Sequence, residues 1–474
     1  MEKFHYINGD WVGQDLEKLE VNNPATGDVV GTVPIGGKSE TKKAIDAAHK
    51  AFPEWSSLTA YERSSYLKKL HSLMLEHEDE LAELMTIEMG KPLHESKGEV
   101  AYSASFVEWF AEEGKRVYGR TIPPHKEKRM MEVRKQPVGV VGAITPWNFP
   151  AAMIARKLAP ALAAGCTFVV KPPSATPLTA VRLVELCEEA GIPKGVVNLV
   201  TGKSSEVAGE LMSNPHVRKI TFTGSTEVGK KLMEQSAETV KNISLELGGH
   251  APIIVLDDAD IDKAVDGVIA SKFRNGGQTC ICGNRVYVQE KIYDDFISKF
   301  VNKAKELQVG NGLEEGTDIG PMIDKDGYDK VEKHVQNAIS QGAECVLGGE
   351  GYEENGCYFY RPTILKDVAP GMLIMNEETF GPVAPIQKVS TDDEAIKFAN
   401  QTPFGLAAYV FSESVRRGNH VVNGLDYGIV GWNDGVPSAA QAPFGGMKQS
   451  GIGREGGHEG IEAYLETKYV SIGL

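Results

Sequence analysis

Long apolar runs are missing from this chain of 474 residues. No segment approaches the ~18 consecutive apolar residues of a membrane-spanning helix, and the start, Met1 to Trp11, lacks the basic-then-apolar pattern of an export signal. Cationic charge is short as well. Lys and Arg number 50 against 65 Asp and Glu, so the net charge of -15 would repel a phosphate backbone and excludes non-specific nucleic-acid binding. A small anionic ligand stays compatible, because a few local cations suffice for it. Cysteine is sparse at six (Cys166, Cys187, Cys280, Cys282, Cys345 and Cys357), which predicts a reduced, cytoplasmic setting. Cys166 and Cys187 fall in apolar, regular stretches and read as small core residues. His94-Glu95 is followed by Gly98 where a zinc-protease helix would carry its second ligand, and no metal site is read. There is no low-complexity linker and no internal repeat.

What is present is an ordinary globular composition, 41% hydrophobic and 24% charged, at a length that allows about three domains. After a turn-rich start, the first ~110 residues read as helical. Thr59 and Glu62 form a capping box opening one long segment with helical apolar spacing through Met85. From Val138 the pattern alternates: strand Val138–Thr145, helix Ala152–Ala164, strand Cys166–Lys171, a helix from Thr176-Pro177 to about Ala190, then strands near 196–200, 219–223 and 243–247. Beyond Leu256 a second series has helices near 260–272, 291–307 and 324–341 and strands near Cys345, Pro362, Ile386, Ala408 and Ile429. Such alternation predicts α/β architecture, two doubly wound lobes with a cleft between them. Ligands of such sheets bind at the carboxyl ends of the strands.

Three segments carry chemistry. Gly276-Gly277-Gln278-Thr279-Cys280-Ile281-Cys282 presents a cysteine at a flexible polar turn, suited to a nucleophile that a carbonyl must approach. The segment alone leaves a buried structural cysteine open. Leu245-Glu246-Leu247-Gly248-Gly249-His250 ends an apolar strand on a carboxylate, which desolvation would turn into a general base. A loop-capping carboxylate is the alternative. Thr145-Pro146-Trp147-Asn148-Phe149-Pro150 follows the first alternating strand, where Asn148 either forms a turn or donates to a developing oxyanion.

Together these segments resemble the aldehyde dehydrogenase superfamily over essentially the whole chain. Asn23–Gly27, Phe222-Thr223-Gly224-Ser225, Glu377–Pro382 and Pro443-Phe444-Gly445-Gly446 complete the set, in the family's order. The resemblance implies that Cys280 attacks an aldehyde, that Asn148 and the Cys280 N–H hold the thiohemiacetal oxyanion, and that Glu246 activates the water that hydrolyses the thioester. It implies NADP or NAD as cofactor. Lys171 and Ser174 would reach the adenosine ribose, Gly224 and Ser225 the pyrophosphate, and Glu378 the nicotinamide ribose, with Trp147, Leu247 and Phe380 lining the pocket. NAD-restricted relatives often carry a glutamate at the position of Ser174, so acceptance of NADP is expected. A cofactor domain (1–117 and 139–249), a catalytic domain (250–450) and a small β arm (118–138 and 451–474) are implied, and with the arm a homodimer or homotetramer.

Within the superfamily the likeness is greatest to succinate-semialdehyde dehydrogenases, in Met153–Lys157, Phe273-Arg274-Asn275, the Cys280/Cys282 pair and the tail from Gly451. That implies a carboxylate-bearing aldehyde held by Arg156, Arg274 and Ser438; a guanidinium can grip a carboxylate bidentately. Pro437 and the uncharged stretch around it leave the five-carbon semialdehyde, or another small aldehyde, as an alternative. A cofactor-free cysteine hydrolase is the rival of another class. Cys280 and Cys282, one residue apart, could form an easily reduced disulfide. Gly451-Ile452-Gly453-Arg454-Glu455-Gly456 satisfies G-x-G-x-x-G but follows no predicted strand, and reads as a loop at a domain or subunit contact.

Overall fold

The computed structural model describes residues 1–474. Its first sheet runs, in spatial order, through Asp10–Val12, His5–Ile7, Val197–Leu199, Thr167–Lys171, Val140–Ile144, Val217–Thr223, Asn242–Glu246 and Gly451–Ile452. The five strands from Val197–Leu199 to Asn242–Glu246 are parallel, and the outer ones antiparallel. Val140–Ile144 and Thr167–Lys171 are buried at every position, as expected of strands covered on both faces. From Val140–Ile144 the chain first winds to one side, through 167–171 to 197–199. It then returns to Val217–Thr223 on the other side of the starting strand. That reversal opens a crevice at the carboxyl edge of the sheet, the position where such folds take ligands.

The helix Ala152–Ala164 has the bounds expected from its sequence and is buried along all 13 residues. Small side chains make this possible, since alanine lets a helix and a sheet close on it from opposite sides. Gly165, at φ 95°, ends it in the left-handed conformation that glycine tolerates. Over this layer packs the helix Leu93–Glu113. The capping box at Thr59 is formed, with the Glu62 N–H donating to the Thr59 hydroxyl at 3.2 Å and the Thr59 N–H to Glu62 at 2.7 Å. The long helical segment expected behind it is two helices, Ala60–Glu76 and Glu78–Met89, with His77 between them outside helical geometry. The turn-rich start contains four short strands, ending with the hairpin Lys18–Asn22 and Val29–Pro34.

The second sheet is ordered Glu344–Leu347, Thr363–Lys366, Val383–Val389, Gly283–Gln289, Ala251–Val255, Ala407–Phe411 and Ile429–Trp432, with only the first antiparallel. Two of its central strands, 251–255 and 283–289, were not anticipated. Gly283–Gln289 is fully buried yet carries Asn284 and Arg285 directly after its first residue, polar residues that disguise a core strand. A third sheet pairs Leu465–Gly473 with Arg129–Pro137 over nine residues and adds Arg120–Ile122 beyond. One correction concerns the tail. Gly451 and Ile452, expected with this arm, instead pair with Glu246 and Leu245 at the edge of the first sheet. A Cβ on Gly451 would fall 2.1 Å from the Leu245 carbonyl oxygen, so glycine permits this approach. No helix is long and apolar enough to cross a membrane.

Candidate active site

The two lobes face each other with opposite ends. From the first sheet come loops that follow its strands: Thr145–Pro150 after Val140–Ile144, Gly224-Ser225 after Val217–Thr223, and Leu247-Gly248 after Asn242–Glu246. From the second come segments that precede its strands: Gln278–Cys282 before 283–289, and Glu378–Gly381 before 383–389. The rule that function sits at carboxyl ends therefore describes only one half of this site.

The nucleophile turn is held by backbone geometry. Asn275, Gly276 and Gly277 are consecutive left-handed residues, at φ 53°, 59° and 71°, a run that needs glycine or an asparagine able to bond locally. Asn275 does so. Its Nδ2 donates to the Gln278 carbonyl at 3.2 Å and to the Asn148 carbonyl at 3.0 Å, and its N–H donates to Glu95 at 2.8 Å. Close approach fixes the opposite side, where a Cβ on Gly249 would fall 2.3 Å from the Cys280 carbonyl oxygen. The glycine pair after Glu246 thus lets that strand end touch the nucleophile turn.

Cys280 is partly exposed, and it is the one residue that lines both a cleft of about 510 Å³ and a narrow recess of about 20 Å³. Burial, outweighing the pull of Arg156, pushes its thiol up to about 12. Asn148 is buried and donates its amide to the Gln278 carbonyl at 3.1 Å. That bond uses one of two amide hydrogens and orients the other. Glu246 is buried and its Oε2 has no hydrogen-bond partner. Desolvation first, then the neighbouring Glu455, raise its pKa well above the ordinary carboxyl value.

Glu455 was missed by sequence reasoning, which had set its segment aside as a contact loop. Its carboxylate is buried between Arg156, at 2.7 Å, and Lys157. Burial opposes its ionisation, and Lys157 and Arg156 overcome that, leaving its pKa below the ordinary value. The available signal was Arg156-Lys157 inside a helix otherwise apolar all round, since buried cations require a partner.

The large cleft is lined by Trp147, Asn148, Gly224, Ser225, Leu247 and Glu378, among others. Phe380 meets Trp147 edge-on, with ring centroids 5.7 Å apart, and holds φ 45°, a strained backbone for an aromatic residue. Ser225 caps the helix Thr226–Ser236, whose free N–H groups favour an anion there. Glu378 accepts from the Gly249 N–H at 3.2 Å, and burial raises it to about 7. Lys171 and Ser174 lie outside this lining, at and just beyond the end of the neighbouring strand. Ser174 is exposed, while the Lys171 ammonium donates to Ser204 at 2.8 Å and burial lowers it to about 8. A dinucleotide suits this cleft: anion-binding N–H groups, an aromatic pair and a carboxylate follow one another along it.

In the recess, Arg156, Arg274 and Ser438 stand together with Phe149, Met153 and Phe444. The two arginines differ. Arg156 stacks on Phe444 at 3.8 Å and is ion-paired to Glu455, whereas Arg274 lies 5.0 Å over the Phe149 ring. Tyr102, unanticipated, shares a hydrogen bond with the Ser438 hydroxyl. Tyr102, Arg274 and Ser438 also line a wider outer recess of about 500 Å³. Cys282 is turned into the second lobe, its thiol donating to the Gly277 carbonyl at 3.2 Å, and both Cys280 and Cys282 are free thiols.

A switch-point cleft that opens onto a recessed thiol, with a buried carboxyl beside it, defines a nucleotide-dependent dehydrogenase that handles carbonyl compounds. The aldehyde dehydrogenase family profile matches residues 11–470, and the chain belongs to that family. Its reaction is the oxidation of an aldehyde with NADP or NAD. The chain is 55% identical over 469 residues to the NADP(+) succinate-semialdehyde dehydrogenase GabD of Escherichia coli K12, covering 99% of this chain and 97% of that one. It is also 55% identical over 470 residues to a glutarate-semialdehyde dehydrogenase of Pseudomonas putida, with 99% and 97% covered. A crystal structure of succinate-semialdehyde dehydrogenase from Burkholderia pseudomallei superposes with a TM-score of 0.98 at 50% identity, over 100% of this chain and 98% of that one.

Proposed function

We propose that this enzyme oxidises succinate semialdehyde to succinate by covalent catalysis at Cys280. The observation that carries the reading is the placement of Cys280 alone between the nucleotide cleft and a recess containing Arg274 and Ser438. Cys280 gives up its thiol proton to water and attacks the aldehyde carbon as the thiolate, and the Asn148 amide with the Cys280 N–H receives the oxyanion. Bound NADP or NAD supplies the hydride acceptor. Glu246, its pKa raised by burial, in its ionised form then takes a proton from water. The hydroxyl adds to the acyl carbon, and the Cys280 sulfur leaves and takes up the proton from Glu246. Trp147, Leu247, Phe380 and Glu378 hold the nicotinamide side, Gly224 and Ser225 the pyrophosphate, and Lys171 and Ser174 the adenosine side.

The remote carboxylate is assigned to Arg274 and Ser438, with Tyr102 joining through its hydroxyl. Arg156 also lines the recess, but it is ion-paired to Glu455 and so is left out of the clamp. The narrow inner recess implies that the Tyr102–Ser438 bond opens as the substrate chain enters. Glutarate semialdehyde is the second reading, favoured by the equal identity to the Pseudomonas putida enzyme. The arm also supports self-assembly. It leaves a long strand edge unpaired and exposes Met130, Tyr469 and Leu474, so a dimer or tetramer is expected by sedimentation.

The test is reduction of NADP and of NAD at 340 nm with the four- and five-carbon semialdehydes and with butanal. Faster turnover of succinate semialdehyde than of either rival supports the assignment. A preference for butanal would remove the carboxylate clamp and leave the chemistry at Cys280.

A further inference from the structure

The helix Leu93–Glu113 turns one polar stripe toward the site: Glu95, Glu99 and Tyr102, spaced i, i+4, i+7. Glu95 holds the Asn275 N–H and Tyr102 meets Ser438. Glu99 does something different. It is buried and ion-paired to Lys91, itself buried just before the helix. Charges this deep are costly unless every lone pair and proton is used, and here they are used on one segment. The Lys91 ammonium donates to the Asn148 carbonyl at 2.7 Å and lies 3.9 Å from the Phe149 ring centroid. Glu99 Oε1 accepts from the N–H groups of Ala151, at 2.9 Å, and Ala152, at 3.1 Å. One ion pair therefore grips both ends of residues 148–152. The Asn148 carbonyl also receives Asn275 Nδ2, so the same oxygen ties this loop to the nucleophile turn.

We propose that the buried Lys91–Glu99 pair is a positioning element for the reaction. It fixes the peptide of Asn148 so that the amide hydrogen not bound to Gln278 points at the oxyanion formed above Cys280. Neither side chain touches substrate. The pair acts through Asn148, and the inference rests on the reading of Asn148 as an oxyanion donor. An oxyanion donor that is merely tilted loses part of its effect, and loss of a whole donor costs about a hundred- to a thousandfold in rate. A partial loss of about ten- to a hundredfold is expected when the pair is broken.

The experiment compares two reagents for the same thiol. An activated acetate ester builds an oxyanion during acylation, whereas iodoacetamide alkylates sulfur without one. In Lys91→Met and in Glu99→Gln, which keeps an acceptor oxygen for Ala151 and Ala152, acylation of Cys280 should slow about ten- to a hundredfold. Alkylation should stay within about twofold, and so should the dissociation constant for NADP. In an Asn148→Ala background, Lys91→Met should add nothing further. If acylation and alkylation fall together, or if Lys91→Met adds its full effect to Asn148→Ala, the pair is only structural. Should Lys91→Met not fold, Glu99→Gln carries the same comparison. If Asn148→Ala itself leaves acylation unchanged, the oxyanion reading fails. If it slows acylation while the Lys91 and Glu99 variants do not, only the positioning role falls.

Discussion

Glu455 takes up both cations, Arg156 and Lys157, that could have neutralised Glu246, and Glu246 Oε2 is left without a partner beside it. Arg156 and Lys157 bring the Glu455 pKa below the ordinary carboxyl value, whereas burial first, and the Glu455 charge second, raise that of Glu246. On the proposed mechanism the hydrolytic step needs ionised Glu246, so acyl-enzyme hydrolysis should rise with pH through the raised pKa and then level.

In Glu455→Gln the repelling charge is gone and Arg156 and Lys157 turn to Glu246. Both changes lower the Glu246 pKa, so the rise in hydrolysis shifts to lower pH. Single-turnover release of acetate from acetylated Cys280 reads this directly. An unshifted profile would sever the electrostatic link between the two carboxyls.

The thiol makes its own prediction. With burial holding Cys280 near 12 in the free enzyme, alkylation by iodoacetamide should climb with pH and show no plateau below about pH 9, since the thiolate is the reactive form. A plateau near pH 7 would mean that the free enzyme already stabilises a thiolate.

The two arginines of the recess separate by stability. Arg156→Ala leaves Glu455 with Lys157 alone and should cost about 3 kcal/mol in urea unfolding, the lower end for a broken buried pair. Arg274→Ala has no such pair to break and should change stability by less than about 1 kcal/mol. Its effect belongs to the substrate: loss of charge-assisted bonds worth about 1.5–3 kcal/mol should raise KM for succinate semialdehyde about ten- to a hundredfold while sparing butanal.

On the proposed placement of the adenosine ribose, nucleotide choice is expected to turn on the exposed Ser174. Ser174→Glu would bring a carboxylate to the adenosine ribose and should weaken NADP about tenfold or more, leaving NAD nearly unchanged. Fluorescence titration of each nucleotide decides it. Equal weakening of both would place the 2′-phosphate elsewhere.

Much of the first lobe was legible because its signals are local. Helix Ala152–Ala164 combines apolar spacing with a glycine stop, and the strands around it are short apolar runs between turns. The Cys280 and Glu246 segments stood out for a related reason, glycine pairs beside a functional group, and Thr145–Pro150 for the two prolines around Asn148. What stayed hidden depends on distant partners. Arg285 looks like a surface residue, yet its guanidinium donates to the carbonyls of His250, just before the strand Ala251–Val255, and of Ala399, in the helix Asp392–Asn400, so a core strand went unread. Lys91, Glu99 and Glu455 look solvated for the same reason. Their burial makes sense only once the segments they bond to, far off in sequence, are in place.

Cys280 is the sole residue common to the larger cleft and the inner recess, and this makes the two chambers separable. Substitutions at Tyr102, Met153, Arg274 or Ser438 reshape one chamber while every other wall of its neighbour stays intact. Taste for a new aldehyde can therefore drift without renegotiating the coenzyme, and the single sulfur between them is the part that cannot change.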